Sequence, residues 1–493
     1  MPIHVLRRRA RVSFTAAAFL LALAPALGAQ QQLTLRQAVE LAQGQGQLAH
    51  AAVSTREAAR QRDKAFAKRL LPQVTLGGNQ PTVAYNSSIA SITQPDGTIK
   101  LIPQQNTRTS LNMQIGQTVP LTGGTVGVNS GLQRTDVVGT NGLTRTYNST
   151  PVSLFISQPI LRSNAAKWDA REQNIRADEA EQAYLEARED VAVQTVTAFM
   201  DLYAARTTQD ALTANVAVND TLYRANQIRY QVGKIVQSDL LQSELQLLRA
   251  RAALDAAKLE AQRALSAFIR AINAAPGTLV DVADPSDVPA FDPDTAVAVA
   301  EALRNQSLML DIDLRKDLAA RAVNEARLNS GVGGTLQAQF GFNKSAPLLG
   351  DAYNNLLQAK GLTFFVSVPI TTWGAHGADV QAARADQQAL DAQTRASRDQ
   401  AAEAARFAAL QLTVARSNLA ISAKADSVAA QAFSGTYYQY VLGQIAIDIV
   451  FLQQASKDAA RVEHLNALRN YWLAYYTLRK LTLYDFEQGR PIR

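Results

Sequence analysis

The sequence predicts a mixed α+β chain built as a tandem repeat, each repeat giving a helix, a few strands and a very long helical hairpin. Three observations carry that prediction. Two short motifs recur at a constant shift of 210 residues. A stretch from Asn164 to Arg229 has neither Gly nor Pro and is dominated by Ala, Glu, Gln and Arg, all strong helix formers. The segments ahead of the long helices alternate apolar and small polar residues, the period of a strand.

Composition narrows the function classes. The 493 residues are 47% hydrophobic, 6% aromatic and 18% charged, against roughly 25% charge in an ordinary globular protein. With no cysteine, a disulfide scaffold, a cysteine zinc site, a thiol nucleophile and an N-terminal lipoprotein cysteine are all excluded. Arg7, Arg8, Arg9 and Arg11 lie in the first 29 residues, so without that segment 45 basic residues face 42 acidic ones. No basic patch for nucleic acid remains.

Those arginines precede an apolar run from Val12 to Leu27 that ends in Leu27-Gly28-Ala29. This is the pattern of a secretory signal over 1–29, with the mature chain starting near Gln30. No later stretch reaches the ~20 apolar residues of a membrane helix. An exported chain of this kind is either soluble outside the cytoplasm or inserted as a β-barrel.

Ser157-Gln158-Pro159-Ile160 reappears as Ser367-Val368-Pro369-Ile370, and Tyr230-Gln231-Val232-Gly233 as Tyr440-Val441-Leu442-Gly443. Equal spacing between the two motifs means a rigid element separates them. Ala42–Leu48 matches Ala302–Leu308 at a shift of 260, so the first repeat holds about 50 extra residues, between Leu71 and Pro159. The first repeat is expected over 30–275, with strands about 73–159 and a hairpin about 164–272. A Pro/Asp-rich linker follows at 276–294. The second repeat spans 295–484, with strands about 335–369 and a hairpin about 375–482, and 485–493 form a tail. Val196, Phe199 and Tyr203 mark one helical face, as do Leu465, Leu468, Trp472 and Tyr475; Leu241, Leu245, Leu248, Ala252 and Leu259 form a heptad-like stripe. A helix of about 65 residues is about 100 Å long, the shape of a coiled-coil hairpin or tunnel.

Leu111–Gly116, Leu336–Gly341 and Leu362–Val368 alternate, with exceptions such as Phe365. A sandwich alternates too, but an apolar band opposite small polar residues suits a barrel strand lining water. Both ends of each strand segment lead to helices on one side, so strand numbers are even: two in the second repeat, room for four in the first. Turns are expected at Leu121–Gly124, Asp96-Gly97 and Asn141-Gly142. Four to six strands cannot close a barrel, whose smallest membrane forms have about eight, so chains must share one.

The duplication, the strand-Pro-Ile passage into the long helix, and Gly233-x-x-x-x-Ser238-Asp239-Leu240-Leu241 with its counterpart Gly443-x-x-x-x-Asp448-Ile449-Val450 resemble the TolC-like outer membrane efflux proteins over residues 33–484. The resemblance implies an outer membrane factor fold: a homotrimer whose strands form one shared transmembrane β-barrel and whose helices form a periplasmic tunnel. It implies a periplasmic adaptor (membrane fusion protein) and an inner-membrane transporter as partners, contact with outer membrane lipid, no cofactor and no catalysis. The bacterial cell outer membrane is the implied location.

The same resemblance implies roles for the tips. Gly233 and Gly443 face the adaptor, or are helix caps with no docking role. Asp239 and Tyr440 stand where family members pair an acid with a tyrosine across two helices; the alternative is a helix N-terminal acid and an unrelated aromatic. Where some members ring the constriction with acids this chain has Ile449 and Leu452, and Ile445 replaces an expected arginine. Asp448 is the nearest acid, so the aperture is either more apolar or ringed by Asp448. Pro159 and Pro369 mark the strand-to-helix junctions. Trp168 fits either a membrane boundary or helix packing.

The four histidines have no metal-ligand spacing, and there is no G-x-S-x-G elbow, Walker loop or dinucleotide fingerprint. The expectation is an outer membrane exit duct of an efflux or type I secretion system. Its alternative is a soluble periplasmic coiled-coil adaptor or structural interaction protein.

Overall fold

The computed structural model describes residues 32–78, 84–139, 142–278 and 280–493. The expected signal segment and Asn141 lie outside them. The chain opens with β1 (Gln32–Leu33), α1 (Leu35–Gln45) and α2 (Gln47–Arg69), then β2 (Gln73–Gly78), β3 (Ala84–Thr93), β4 (Ile99–Val119), β5 (Gly124–Gly139) and β6 (Gly142–Ile160). The first hairpin is α3 (Ala165–Gln231) and α4 (Gln237–Ala271), followed by β7 (Asp281–Val282). The second half holds α5 (Thr295–Asn305), α6 (Ser307–Asn329), β8 (Gly333–Ala346), β9 (Leu357–Ser367), α7 (Ala375–Val441) and α8 (Ile447–Thr482). A small hairpin, β10 (Tyr484–Asp485) with β11 (Arg490–Pro491), ends it.

The duplication is visible in element lengths. α1 and α5 are 11 residues each, α2 and α6 are 23 each, and α3 and α7 are 67 each. Each short pair is broken by one extended residue, Gly46 or Gln306. Thr34 starts α1 with a reciprocal capping box to Gln37, and the Asp294 carboxylate caps α5 by accepting from Ala296 N at 2.7 Å.

Six antiparallel passes form one sheet in the order β2-β4-β5-β6-β8-β9, with β3 continuing the β2 edge along the rest of β4. β2 and β3 together make the outward pass, so the first repeat has four passes and the second two. The extra residues of the first repeat therefore join the same hydrogen-bonded sheet. Turns fall at Asp96-Gly97 and at 120–123, where Gly123 N donates to Val119 O at 2.8 Å. The β6–β8 ladder, running from Tyr147↔Ala346 to Ile160↔Gly334, fuses the repeats.

Register sorts the sheet into two chemistries. Directly paired residues share a face, and Leu76↔Met113, Ile115↔Val128, Val128↔Leu154, Leu154↔Phe340 and Ala338↔Leu362 run an apolar face across all six passes. Thr75↔Gln114, Gln114↔Asn129, Asn129↔Ser153 and Gln339↔Gly361 run the opposite, polar face. Phe155 and Phe365 interrupt it: Phe155 lies over Gly127, where a Cβ would sit 2.6 Å from the ring. No helix among the described residues is long and apolar enough to cross a membrane.

Long helices pack laterally as α4 on α3, α3 on α8 and α8 on α7. The main core lies midway along them, where Phe199, Phe268, Leu412, Leu468, Tyr471 and Leu478 are buried with α1 and α5. Residues 280–294 of the segment that reads as a linker by composition are strapped onto this core. Trp472 Nε1 donates to Pro285 O and Tyr471 Oη to Pro289 O, each at 2.9 Å, and β7 pairs with β1. Buried Glu189 is bonded by Arg479 at 3.2 Å, which also reaches Asp485 at 3.0 Å.

Candidate functional site at the hairpin tips

Both hairpins reverse through the same backbone device. At the end of α3, Gly233 takes φ +72° while Lys234 N donates to Arg229 O at 2.8 Å. At the end of α7, Gly443 takes φ +77° while Gln444 N donates to Gln439 O at 2.9 Å. Bonds spanning five residues behind a left-handed Gly are Schellman caps, which return a helix sharply and satisfy its last carbonyls. Nothing lies within 4 Å of a Cβ built on either glycine, so conformation and not space selects the residue.

Between the tips lies a cleft of about 800 Å³ lined by Asn226, Arg229, Lys234, Asp239, Tyr440, Gly443 and Asp448, among others. The structure thus brings together three of the five sequence-chosen aperture residues. Ile449 and Leu452 are exposed and do not line the cleft, while Ile447 and Val450 are buried. Ile445 packs against the small apolar cluster of Leu222, Tyr440, Ile447 and Val450, which an arginine there could not join. Pro159 closes β6 opposite Thr335, and Pro369 lies in the β9–α7 connection.

The expected carboxylate–phenol bond is not formed. The Tyr440 hydroxyl donates instead to Asn226 Oδ1. Asn226 Nδ2 donates to Ser243 Oγ at 2.6 Å, and Ser243 Oγ donates to the Asp239 backbone carbonyl at 2.7 Å. Asp239 and Tyr440 are therefore linked by a relay that crosses from α7 through α3 to α4, and the carboxylate takes no part. Its members Asn226, Ser243 and Tyr440 are all buried. Burial pushes the Tyr440 phenol up, against the Arg229 charge beside it. Arg229 stacks over the Tyr440 ring, 4.8 Å from its centroid, and its Nη2 lies 3.5 and 3.4 Å from the Tyr440 and Val441 carbonyls. A cation against the last carbonyls of α7 suits the helix dipole.

Asn226, Ser243 and Arg229 were not selected from sequence. One signal was there: Asn215, Asn219, Leu222 and Asn226 recur at alternating steps of four and three, an inward face carrying asparagine. Asn215 Nδ2 donates to Asp458 at 2.7 Å and its Oδ1 accepts from Lys457 at 3.1 Å. Asn219 Oδ1 is buried without a partner. The seam between the two hairpins therefore sets buried polar groups beside the Leu222–Val450 apolar cluster toward the tip, and the polar groups regain water when it parts.

Residues 38–274 match the family model described as Outer membrane efflux protein. That match spans a little under half of the chain and marks its likeness to the outer membrane efflux proteins. Outer membrane efflux protein BepC of Brucella suis is 25% identical over 318 residues, covering 64% of this chain and 65% of that relative, a little under two thirds of its length. The CmeC outer membrane channel of Campylobacter jejuni aligns over 93% of this chain and 87% of its own, at 15% identity and TM-score 0.65. VceC from Vibrio cholerae aligns over 93% and 97%, at 14% identity and TM-score 0.66. The fold of an outer membrane efflux protein is thus shared from α1 to α8. In this family the sheet lies in the outer membrane and the helices extend into the periplasm. No cluster that could hold a metal occurs among the described residues.

Proposed function

We propose that this protein is the exit duct of a tripartite efflux or secretion system, passing substrates from an inner-membrane transporter and a periplasmic adaptor to the exterior. The observation that supports it most is the open six-pass sheet, apolar across one face and polar across the other, mounted on hairpins about 100 Å long. Three copies closing edge to edge give about 18 strands, and at a tilt near 40° these enclose a radius of about 18 Å. The four long helices per chain, about twelve in all at ~10 Å spacing, enclose about 19 Å. Strands and helices then fit one continuous wall, with the polar face inward.

The duct does no chemistry of its own; work comes from the transporter. The tip cleft receives the adaptor, with Gly233 and Gly443 at its mouth and Asp239, Tyr440 and Asp448 lining it. Ile449 and Leu452, facing out of the single chain, meet the neighbouring copies across the aperture. Opening parts the polar seam of α3 with α7 and α8, and Pro159 and Pro369 end the strands where the wall changes from sheet to helix. The test is the native mass of the mature protein extracted from outer membranes in mild detergent. A three-chain particle is expected. A single chain released without detergent would sink the duct and favour a periplasmic scaffold.

A further inference from the structure

Among the described residues both edges of the sheet are unpaired, β9 on one side and β2 with β3 on the other. An open edge is a template for pairing with another chain, and an even number of passes leaves the two edges antiparallel to each other. The chain already contains one junction of this kind, between β6, the last strand of the first repeat, and β8, the first strand of the second. The duplication makes β9 the equivalent of β6 and β2 the equivalent of β8. The β6–β8 ladder is therefore an internal counterpart of a β9–β2 junction between two copies.

The equivalence holds residue by residue. α3 begins at Ala165 and α7 at Ala375, so the shift of 210 runs unbroken from Ser157 through the loop into the helix. α2 and α6 share both ends at a shift of 260, which carries Thr335-Leu336 onto Thr75-Leu76. In the β6–β8 ladder Gln158 pairs with Leu336 and Ile160 with Gly334. Moved by the two shifts, these pairs become Val368 with Leu76 and Ile370 with Val74. The faces agree: Val74 and Leu76 lie on the apolar face, opposite Ile115 and Met113, and Val368 and Ile370 keep step with Phe364, which is on that face opposite Leu336.

The single chain falls short at the same place. β6 runs to Ile160, but β9 stops at Ser367, three residues before the equivalent Ile370, where no further strand lies alongside. Ile370 is 96% exposed, and so is Trp373. Trp373 is the equivalent of Ser163, whose amide donates to Asn329 Oδ1 at 3.1 Å and whose hydroxyl donates to Asn324 Oδ1 at 2.8 Å. The equivalents of those two asparagines on α2 are Arg69 and Lys64, both exposed. A hydrogen-bonded corner inside the chain thus has as its counterpart an indole facing two cations, a pairing that the negative face of the ring favours.

We infer that neighbouring copies join in the register of the β6–β8 ladder. Residues 368–370 extend β9 along β2 of the next copy, Val368 against its Leu76 and Ile370 against its Val74, and Trp373 seats on Lys64 and Arg69 near the end of its α2. The two exposed side chains of the 368–374 loop are then the clasp between copies. This inference rests on the duct reading, which needs the copies to close a ring, and adds which residues close it.

The chain has no cysteine, so disulfide trapping starts from a clean background. Leu76→Cys with Val368→Cys, in the full mature protein in outer membranes, is oxidised with copper phenanthroline and read as a covalent three-chain species on denaturing gels. It should form at least about fivefold faster than with Leu76→Cys paired to Val366→Cys or to Ile370→Cys, because residues directly opposite are about 5 Å apart and diagonal ones about 7–8 Å. Val74→Cys with Ile370→Cys, in the same register, should trap as well, so that one badly placed pair does not decide. Faster trapping at a diagonal pair, or none at either matched pair in a particle of three chains, overturns the register. Trp373→Ala, and Lys64→Ala with Arg69→Ala, should each lower the temperature at which the ring dissociates, and together by little more than one alone; additive losses overturn the indole–cation seat. Native mass of the wild type separates the two readings. Single chains would sink the duct itself, whereas three-chain particles trapped in another register sink this inference alone.

Discussion

Replacing Tyr440 by Phe removes one hydroxyl from the tip relay and nothing else. The ring keeps its place against Leu222, Ile447 and Val450 and beneath Arg229, so packing is conserved. What changes is Asn226 Oδ1, which loses its donor at a position only 1% exposed. A buried acceptor left without a partner costs about 1–3 kcal/mol, and a part of that is recovered when the seam opens and water enters. If the packed tip is the non-conducting state, about 1.4 kcal/mol raises the open-to-closed ratio about tenfold. Single-channel recording in planar bilayers reads this as a larger open fraction at unchanged open conductance. Asn226→Leu alone should act in the same direction, and Asn226→Leu with Tyr440→Phe should fall well short of the sum, because each removes the partner the other needs. A double-mutant cycle with a coupling energy below about 0.3 kcal/mol would refute the reasoning, since independent sites add to within that margin.

Gly233→Ala and Gly443→Ala should each lower the stability of their hairpin by about 1–2 kcal/mol, as left-handed backbone penalises a Cβ even in open space, while Asn at either site should cost less; thermal melting of the purified protein compares them. Gly127→Ala drives a methyl against the Ile115 carbonyl oxygen and to 2.6 Å from the Phe155 ring and should destabilise by about 1–3 kcal/mol, with Phe155→Leu restoring only part of the loss because the backbone contact stays; denaturation of the purified protein checks it. Burial raises the Tyr471 phenol to about 12, and burial with the adjacent Asp284 raises Tyr203 to about 12. These groups favour the folded state fully below the ordinary tyrosine pKa of about 10, and that contribution is lost as pH rises from there through about 12. Late tyrosinate absorbance followed by unfolding in that window is expected; complete tyrosine ionisation near pH 10 with the fold intact would contradict it.

Most of the architecture was legible because it is written in spacing. The recurrence of Gly233 at Gly443 set equal hairpins, and strict alternation in Leu111–Gly116 and Leu336–Gly341 set the two faces of the sheet. The parity of strand passes followed from chain continuity alone. The tip relay was less legible, for a physical reason. Tyr440 and Asn226 meet across hairpins that are 214 residues apart in sequence, and which polar residue faces the seam depends on the phase of a helix 67 residues long. A small error in assumed pitch, carried along such a helix, moves a residue to another face. The linker was misleading in a different way: Pro285 and Pro289 have the composition of a tether, yet their carbonyls are the acceptors that satisfy Trp472 and Tyr471.

The two 67-residue helices stand beside a sheet whose halves are unequal, four passes against two. That contrast says where such a molecule can change and where it cannot. One residue inserted into a long helix turns everything beyond it by about 100° and lifts it by 1.5 Å, so that every later contact with the neighbouring helix is out of phase. A strand hairpin adds a whole outward and return pass and leaves every other register as it was. Helix length is therefore locked between neighbours, as the teeth of meshed gears are, whereas sheet width grows in pairs of strands. A lineage built on this plan can widen its sheet by inserting hairpins and still keep its helical tips unchanged.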